Sequence, residues 1–507
     1  MAGADSNQVM PSPVGGRSAT WTGMVQQAWD HDRTAVRFGE LTWSGRELMD
    51  RASGAADWLD TLGLPPHLPV PALLSVSPGA LALTIGGAGS AHPLAPIGVR
   101  MTAREATAVV RALRAPVLIA APEHADLGDQ VARLAGCRLA LVPEFAGTQR
   151  ELAAVPEDVA VVLHTSGTTG APKPVPMPQW RLAARARVNG GLCELGPDAF
   201  YGASAPFHHI SGLGNIAVAL ASGAAVTGIA RFTVEGWGLL GELGITHTSV
   251  VPSMLEMLLA AGRLGQPRLR VLQYGGAPIR PEALRQTYQA LPGVRMLNMF
   301  GQTEGSPLSV LTPEDHRSAL AGRPELLASV GRAAPGVELR LDRPDADGAG
   351  EVLARADHLF RLDGEGWLHS GDLGRIAEDG YVYLAGRRSD MIIRGGENVH
   401  PLEVETVVAE HPQVADVAVV GVPDRRLGQI VAAYVVAADH ARPPLPEELR
   451  AFTREHLSGF KVPAVWHFIA ELPRNANGKV VRARLAEGGP VADQDARAAA
   501  IAQPTPE

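Results

Sequence analysis

Apolar and polar positions recur at two different periods along the first three quarters of the chain. Over Arg46 to Leu59 and Thr102 to Leu113 the apolar residues return every three or four positions, the spacing of a helix with one buried stripe. Thr102 and Glu105 form a capping-box pattern at the start of the second segment. Short apolar, β-branched runs stand between such segments and predict strands: Pro71 to Val76, Val117 to Ala120, Ala224 to Ile229, Thr248 to Val251, Leu269 to Tyr274 and Arg295 to Met299. Strands alternating with amphipathic helices predict an α/β fold with layered sheets. Polar turns at Asp345, Asp347, Gly348 and Gly350 then punctuate a more β-rich stretch that ends at Tyr383.

After Gly386 the pattern changes. Pro401 to Glu410 and Pro446 to His456 read as helices, while Val414 to Val422, Ile430 to Ala437 and Val465 to Ala470 read as strands. The expected architecture is therefore a large multi-subdomain N-terminal domain with α/β layers, joined by a hinge to a small α+β C-terminal domain. We set the limits at 1–18 for a loose arm, 19–386 for the large domain, 387–487 for the small one and 488–507 for a disordered tail. No internal repeat is visible.

Composition narrows the functional classes. A chain of 507 residues exceeds one ordinary core, in keeping with two domains. Hydrophobic residues at 46% and charged residues at 19% suit a globular enzyme. The net charge of -8 is dispersed and forms no basic stripe, so nucleic acid is not an expected partner. Only Cys137 and Cys193 occur, far apart and without metal-ligand spacing, so neither a disulfide framework nor a zinc site is expected, and a reducing cytoplasm is the plain reading. The first residues carry an early acid and no apolar segment, which predicts an arm and not a signal peptide. No Asp, Glu, Lys or Arg appears from Thr61 to Val99, but prolines leave a helical piece of about 14 residues from Gly79, against roughly 20 for a bilayer span. That piece predicts a buried core helix, with no membrane partner.

The stretch HTSGTTGAPKPV, residues 164 to 175, follows the apolar run Val159 to Leu163 and raises the question of chemistry. It is not a Walker P-loop, because Pro172 and Pro174 flank Lys173 and deny it a first helical turn. Two readings stand at this level: a strand-to-loop hairpin whose hydroxyls and N–H groups wrap a polyphosphate, or a surface loop of small residues. Asp372 beside Gly371 reads equally as a turn residue, Lys479 after Asn477-Gly478 as a hairpin lysine, and the His208-His209 pair as packing residues.

The order of further blocks separates these readings. Ala205-Pro206-Phe207-His208-His209-Ile210-Ser211-Gly212 is followed by Tyr274-Gly275-Gly276-Ala277-Pro278 and Phe300-Gly301-Gln302-Thr303-Glu304. Then come Ser370-Gly371-Asp372, Gly386-Arg387, Gly395-Gly396-Glu397-Asn398 and Pro473-Arg474-Asn475-Ala476-Asn477-Gly478-Lys479. From about residue 20 to 486 the chain resembles the adenylate-forming superfamily of acyl- and aryl-CoA ligases, peptide-synthetase adenylation domains and beetle luciferases. The resemblance implies an ATP- and Mg2+-dependent ligase that activates a carboxylic acid as its adenylate, releasing pyrophosphate, and then AMP. Residue by residue, it implies that Thr165, Ser166, Gly167, Thr168, Thr169, Gly170 and Lys173 grip the β and γ phosphates. Thr303 would donate to the α-phosphate and Glu304 would hold magnesium, a hard cation that takes oxygen ligands. Gly276, Ala277 and Pro278 would line the adenine, with Asn298, Met299, Phe300 and Gly301 alongside and the Phe300 ring stacked on it. Asp372 and Arg387 would hold the ribose, His209 would stand beside the carboxylate pocket, and Lys479 would be the catalytic lysine on a mobile small domain.

Two features depart from the family pattern. The hinge position, usually Asp or Lys, is Ser389. Val462 and Ala464 stand where several aryl-CoA ligases carry basic residues, and Arg426-Leu427-Gly428-Gln429 lacks a tryptophan found in some of them; Arg425, Arg426, Lys461 and Arg454 are the candidates to supply cations to CoA instead. The intact Gly395-Gly396-Glu397-Asn398 loop, which in relatives lines the acceptor tunnel, points to CoA. Fewer cations on the CoA side point instead to another acceptor: an amine, a carrier-protein thiol, or nitrite activation for diazotisation of an aryl amine in secondary metabolism. An aryl or aryl-propenoic acid is the expected substrate.

Overall fold

The computed structural model describes residues 18–165, 173–345, 348–395, 397–475 and 479–486. The expected arm, apart from its last residue, and the expected tail lie outside these residues. So do Ser166, Gly167, Thr168, Thr169 and Gly170 of the proposed phosphate loop, and Gly396. The chain forms two compact units. One runs to Leu339 and takes in Leu353–His369 and Glu378–Val382; the other comprises Arg340–Val352, Ser370–Ala377 and the chain from Tyr383 onward. Gly350–Arg355 and Leu368–Ile376 each change unit part-way along, and from Tyr383 onward the described chain belongs to the second unit.

The larger unit holds two sheets. Six parallel strands form the middle of the nine-stranded one, in the spatial order Thr34–Phe38, Ala225–Gly228, Phe200–Ala203, His247–Val250, Val271–Gly275 and Arg295–Gln302. Antiparallel Leu41–Ser44 closes one edge, and Gly305–Leu311 followed by Arg332–Ala333 closes the other. The six-stranded sheet runs Arg138–Leu141, Val117–Ala120, Val70–Leu73, Leu94–Ile97 and Val159–Thr165 in parallel, then antiparallel Lys173–Pro178. At the end of this antiparallel pair Thr165 faces Lys173.

Helices form where the sequence predicts amphipathic segments. Gly45–Thr61 starts at a Ser44–Glu47 capping box, and Ala103–Leu113 at the Thr102–Glu105 box, with Thr102 as the cap itself. The strand expected over Pro71 to Val76 is shorter and starts one residue earlier, at Val70, and Ser77 already caps the next helix. That helix, Pro78–Ala88, stops short of the expected length because Gly89 caps it. Every residue from Ala80 to Ala88 is buried, as expected of a helix apolar on all sides. Its contact with Gly45–Thr61 depends on Gly86: a Cβ there would lie 2.3 Å from the Ala52 carbonyl oxygen. Among the described residues no helix is long and apolar enough to cross a membrane.

In the smaller unit, Glu397–Val399, Ile392–Arg394, Gly428–Ala437 and Val414–Asp424 pair antiparallel in that order, and Val465–Phe468 joins Gly428–Ala437 in parallel. Pro401–Ala409 and Pro446–His456 supply Val404, Val408 and Leu449 to a core with Ile392, Val399, Val419, Val431 and Val435.

Gly86→Ala should lower unfolding free energy by about 1–3 kcal/mol through forced separation of two packed helices. Gly79→Ala, with nothing within 4 Å of the new methyl, should be neutral or slightly stabilising. Urea midpoints of both variants at one pH check the pair.

Candidate active site

Parallel strands deliver their carboxyl ends to one edge of a sheet, where turns place polar groups outside the hydrogen-bonded ladder. Four neighbouring strands of the nine-stranded sheet do this here. Phe200–Ala203 leads into Pro206 to Gly212, His247–Val250 into Pro252, Val271–Gly275 into Gly276 to Pro278, and Arg295–Gln302 into Thr303 and Glu304. His209, Gly276, Ala277, Pro278, Thr303 and Glu304 are thus brought to one edge, while Thr165 and Lys173 lie on the six-stranded sheet.

Each turn has a local cause. Gly212 folds back on Pro206, whose carbonyl oxygen would lie 2.0 Å from any Cβ. The Gly212 amide donates to the His209 carbonyl at 3.0 Å, opening a wide turn over Ile210–Gly214. At Gly275 a Cβ would sit 2.4 Å from the Met299 carbonyl oxygen of the next strand, and Gly276 has φ +86°. Any side chain at Gly275 therefore pushes two paired strands apart. Gln302 pairs with Gly305, so Thr303 and Glu304 form the two-residue tip of a hairpin and are both half-buried. The Phe360 amide donates to the Glu304 carbonyl at 2.6 Å, holding the tip against the following segment. Asn298 and Phe300 are half-buried and Met299 is buried, while Ala277 is half-buried between exposed Gly276 and Pro278.

Histidines crowd the same region. The rings of His208 and His209 lie 3.8 Å apart, and His208 also packs on Gly98, where a Cβ would meet Nε2 at 2.9 Å. Burial, then the charge of Arg100 and the neighbouring His164, pushes the His208 pKa down to about 4. Burial does the same to His164. Both imidazoles are neutral at pH 7.

In the smaller unit Asp372, Arg387 and Lys479 come together. Arg387 Nε is 2.8 Å from an Asp372 carboxylate oxygen that is almost fully buried. Burial raises the Asp372 pKa against the opposing pull of Arg387 and Lys479. Crowding by protein atoms and repulsion from Arg387 lower the Lys479 pKa, with Asp372 opposing; because Lys479 is exposed by surface area, water screens part of this shift. Asn475 fixes the lysine backbone through its side-chain oxygen, which accepts from the Lys479 amide at 3.0 Å. Ser389 lies between Arg388, paired with Glu351 at 2.9 Å, and Asp390, 3.5 Å from Arg482. Gly395 has φ +62° and donates its amide to Leu427, while Glu397 and Asn398 are exposed in the adjoining hairpin.

The family model described as AMP-binding enzyme matches residues 25–362, and the model described as AMP-binding enzyme C-terminal domain matches residues 403–479. The chain belongs to the AMP-binding enzyme family. It is an ATP-dependent adenylate-forming ligase with a large N-terminal and a smaller C-terminal domain. This AMP-binding enzyme is 30% identical over 485 residues to a 2-succinylbenzoate–CoA ligase of Bacillus pumilus, covering 90% of this chain and 96% of that protein. It is 32% identical over 479 residues to the fatty acid–[acyl-carrier-protein] ligase ScoC of Streptomyces coeruleorubidus, covering 88% and 91%. Among solved structures, the amide bond synthetase McbA from Marinactinospora thermotolerans superposes with a TM-score of 0.81 at 27% identity, over 92% of this chain and 99% of that one.

Motif reading missed several groups that shape the site of this AMP-binding enzyme. Glu351 binds both the Gly371 amide, at 3.0 Å, and Arg388. Glu405, buried, accepts two hydrogen bonds from Arg482, three residues after Lys479. No spacing in the sequence marks these pairs, because their members lie far apart along the chain. Lys461, a sequence candidate for contacting CoA, is instead tied to Glu403 at 2.7 Å, and Val462 is buried.

The half-buried histidines His164 and His208 impose an acid limit on stability. Their unfolded rings take a proton near pH 6.5 but the folded ones only near 4, so the unfolded state binds more protons between these values. Stability from this source is complete above about pH 6.5 and is lost as pH falls towards 4. His164→Phe should flatten the decline in urea midpoint between pH 7 and pH 5; an unchanged slope would show that His164 contributes nothing to it.

Proposed function

We propose that this enzyme adenylates an aryl or aryl-propenoic carboxylic acid with ATP and transfers the acyl group to the thiol of CoA. The carboxylate oxygen attacks the α-phosphorus of ATP, the bond to the pyrophosphate oxygen breaks, and acyl-AMP forms. The CoA thiol then attacks the acyl carbon, giving thioester, AMP and a proton. The observation that carries this reading is the gathering of Asp372, Arg387 and Lys479, a carboxylate and two cations in one compact unit. That arrangement suits a ribose diol accepted by Asp372 and a transferring phosphate neutralised by Lys479. Full-length similarity to a 2-succinylbenzoate–CoA ligase supports both the acid class and the acceptor.

In this reading Thr165 and Lys173, facing each other at the hairpin base, bracket the phosphate loop. Thr303 donates to the α-phosphate, and Gly276 to Pro278 and Asn298 to Gly301 line the adenine beside the Phe300 ring. His209 borders the carboxylate, Gly395, Glu397 and Asn398 border the acceptor, and Ser389 is the pivot between residues 19–386 and a mobile 387–487. Glu304 suits magnesium: its carboxylate has no hydrogen bond or ion pair among the described residues. Those residues hold no cluster of three metal-binding side chains, so phosphate and water oxygens would have to complete such a site. A magnesium ion held by Glu304 would supply positive charge against the phosphates. Free Cys137 and Cys193 suit a reducing cytoplasm.

A second reading rests on the Lys461–Glu403 pair, which leaves fewer free cations for the phosphates of CoA. It keeps the adenylation step and replaces CoA by an amine or a carrier-protein thiol, acceptors that the names of McbA and ScoC imply for those proteins.

The deciding experiment incubates the enzyme with ATP, magnesium and benzoate, cinnamate or octanoate, with and without CoA, and identifies products by mass spectrometry. Cinnamoyl- or benzoyl-CoA formed only with CoA is the expected result; AMP release indifferent to CoA selects the second reading. Lys479→Ala should lower acid-dependent pyrophosphate exchange by about 100-fold or more, in the range of lost charge stabilisation at a transferring group. Exchange rates near the unaltered enzyme would remove Lys479 from the adenylation step.

A further inference from the structure

The helix Gln179–Leu192 carries Arg185 into the interior at 1% exposure. Its Nε donates to the Ser306 carbonyl at 3.1 Å, Nη1 to the Gly214 carbonyl at 2.5 Å, and Nη2 to the Asn215 side-chain oxygen at 2.7 Å. Among the described residues no carboxylate pairs with it. The ionisable groups that face it are uncharged at neutral pH: burial pushes Cys193 and Tyr201 up to about 12 and His358 down to about 4. Burial lowers Arg185 itself only to about 10, so the guanidinium remains protonated. A buried cation without a counter-ion is unfavourable, and its field is poorly screened.

Its three acceptors locate it. Gly214 closes the turn that starts directly after His209, Asn215 begins the next helix, and Ser306 is the second residue after Glu304. Asn215 also donates to the Ser249 hydroxyl, which bonds the Tyr201 phenol at 2.8 Å and the Ser211 carbonyl at 3.3 Å. One guanidinium thus ties the histidine segment to the hairpin of Thr303 and Glu304, with its charge left over.

We infer that Arg185 is a specificity-determining positioning residue whose uncompensated charge, held between the His209 turn and the Glu304 hairpin, favours a carboxylate over its neutral isostere in the acid pocket. The inference rests on the acid-activating reading above. A carboxylate entering this region supplies the missing counter-charge, whereas a carboxamide of the same shape does not. Touching no substrate atom, Arg185 acts through the walls it joins and through its field.

The test compares cinnamate, by its KM in pyrophosphate exchange, with cinnamamide, by its inhibition constant against cinnamate. In Arg185→Met the cinnamate KM should rise about tenfold or more while cinnamamide binding and the KM for ATP stay within about twofold. Arg185→Lys, which keeps the charge, should recover most of the preference. Asn215→Ala, which loosens the same packing but leaves the charge, should keep the ratio within about threefold of the unaltered enzyme. Equal weakening of both ligands in Arg185→Met overturns the inference and leaves the acid reading standing. Should Arg185→Met fail to fold by circular dichroism, a collapse of the ratio in Arg185→Lys or Asn215→Ala overturns it instead. Absence of cinnamate-dependent exchange in the unaltered enzyme overturns the acid reading and this inference together.

Discussion

The parallel ladder of the nine-stranded sheet is the constraint on which the large unit depends. Because Phe200–Ala203, His247–Val250, Val271–Gly275 and Arg295–Gln302 run in one direction, the four turns that leave them share one edge. The strand ladder satisfies its own backbone groups, so the turns are free to present theirs outward. Close strand approach then selects residues: Gly275 lies against the Met299 carbonyl, and Gly301 against the Gly305 carbonyl, at distances that no Cβ tolerates. The glycines of the nucleotide-type blocks are therefore packing requirements as much as room for a ligand.

Removal from water sets the electrostatic character of both units, in opposite directions for acids and bases. It raises Asp372 and Glu405, and it lowers His164, His208, His358 and Lys479. Neutral imidazoles then stand together at His164 and His208, and a neutral His358 faces Arg185. In the small unit the carboxylates are held by arginines: Asp372 by Arg387, Glu351 by Arg388 and Glu405 by Arg482. Ser389 stands between two of these anchored residues. With Arg388 paired to Glu351 and Asp390 facing Arg482, backbone rotation at the serine exchanges or strains defined ion pairs. A pivot at Ser389, as proposed, would therefore have discrete arrangements where a loose linker would have a continuum.

Much of this was legible in the chain itself. Helix and strand periods, capping boxes and turn residues are local properties, so Ala103–Leu113, Val117–Ala120 and Pro446–His456 fall where pattern predicts them. The ordered blocks from Thr165 to Lys479 name the family, because each block is a contiguous run whose chemistry is carried by its own residues. The antiparallel return of Lys173–Pro178 onto Val159–Thr165 likewise follows from the short sequence separation between the two strands.

Only the tertiary structure decided which charges are compensated. Arg185 has the same local sequence character as Arg181 and Arg187 on one helix, yet it alone of the three is fully buried. Lys461 looked available to a phosphate and is occupied by Glu403. Glu351 and Arg388 are 37 residues apart, and Glu405 and Arg482 are 77 apart. The division into compact units also cuts across chain order, since strands pair with whatever backbone lies beside them. Period and motif are written in neighbouring residues, whereas burial and ion pairing depend on distances that exist only after the sheets have closed.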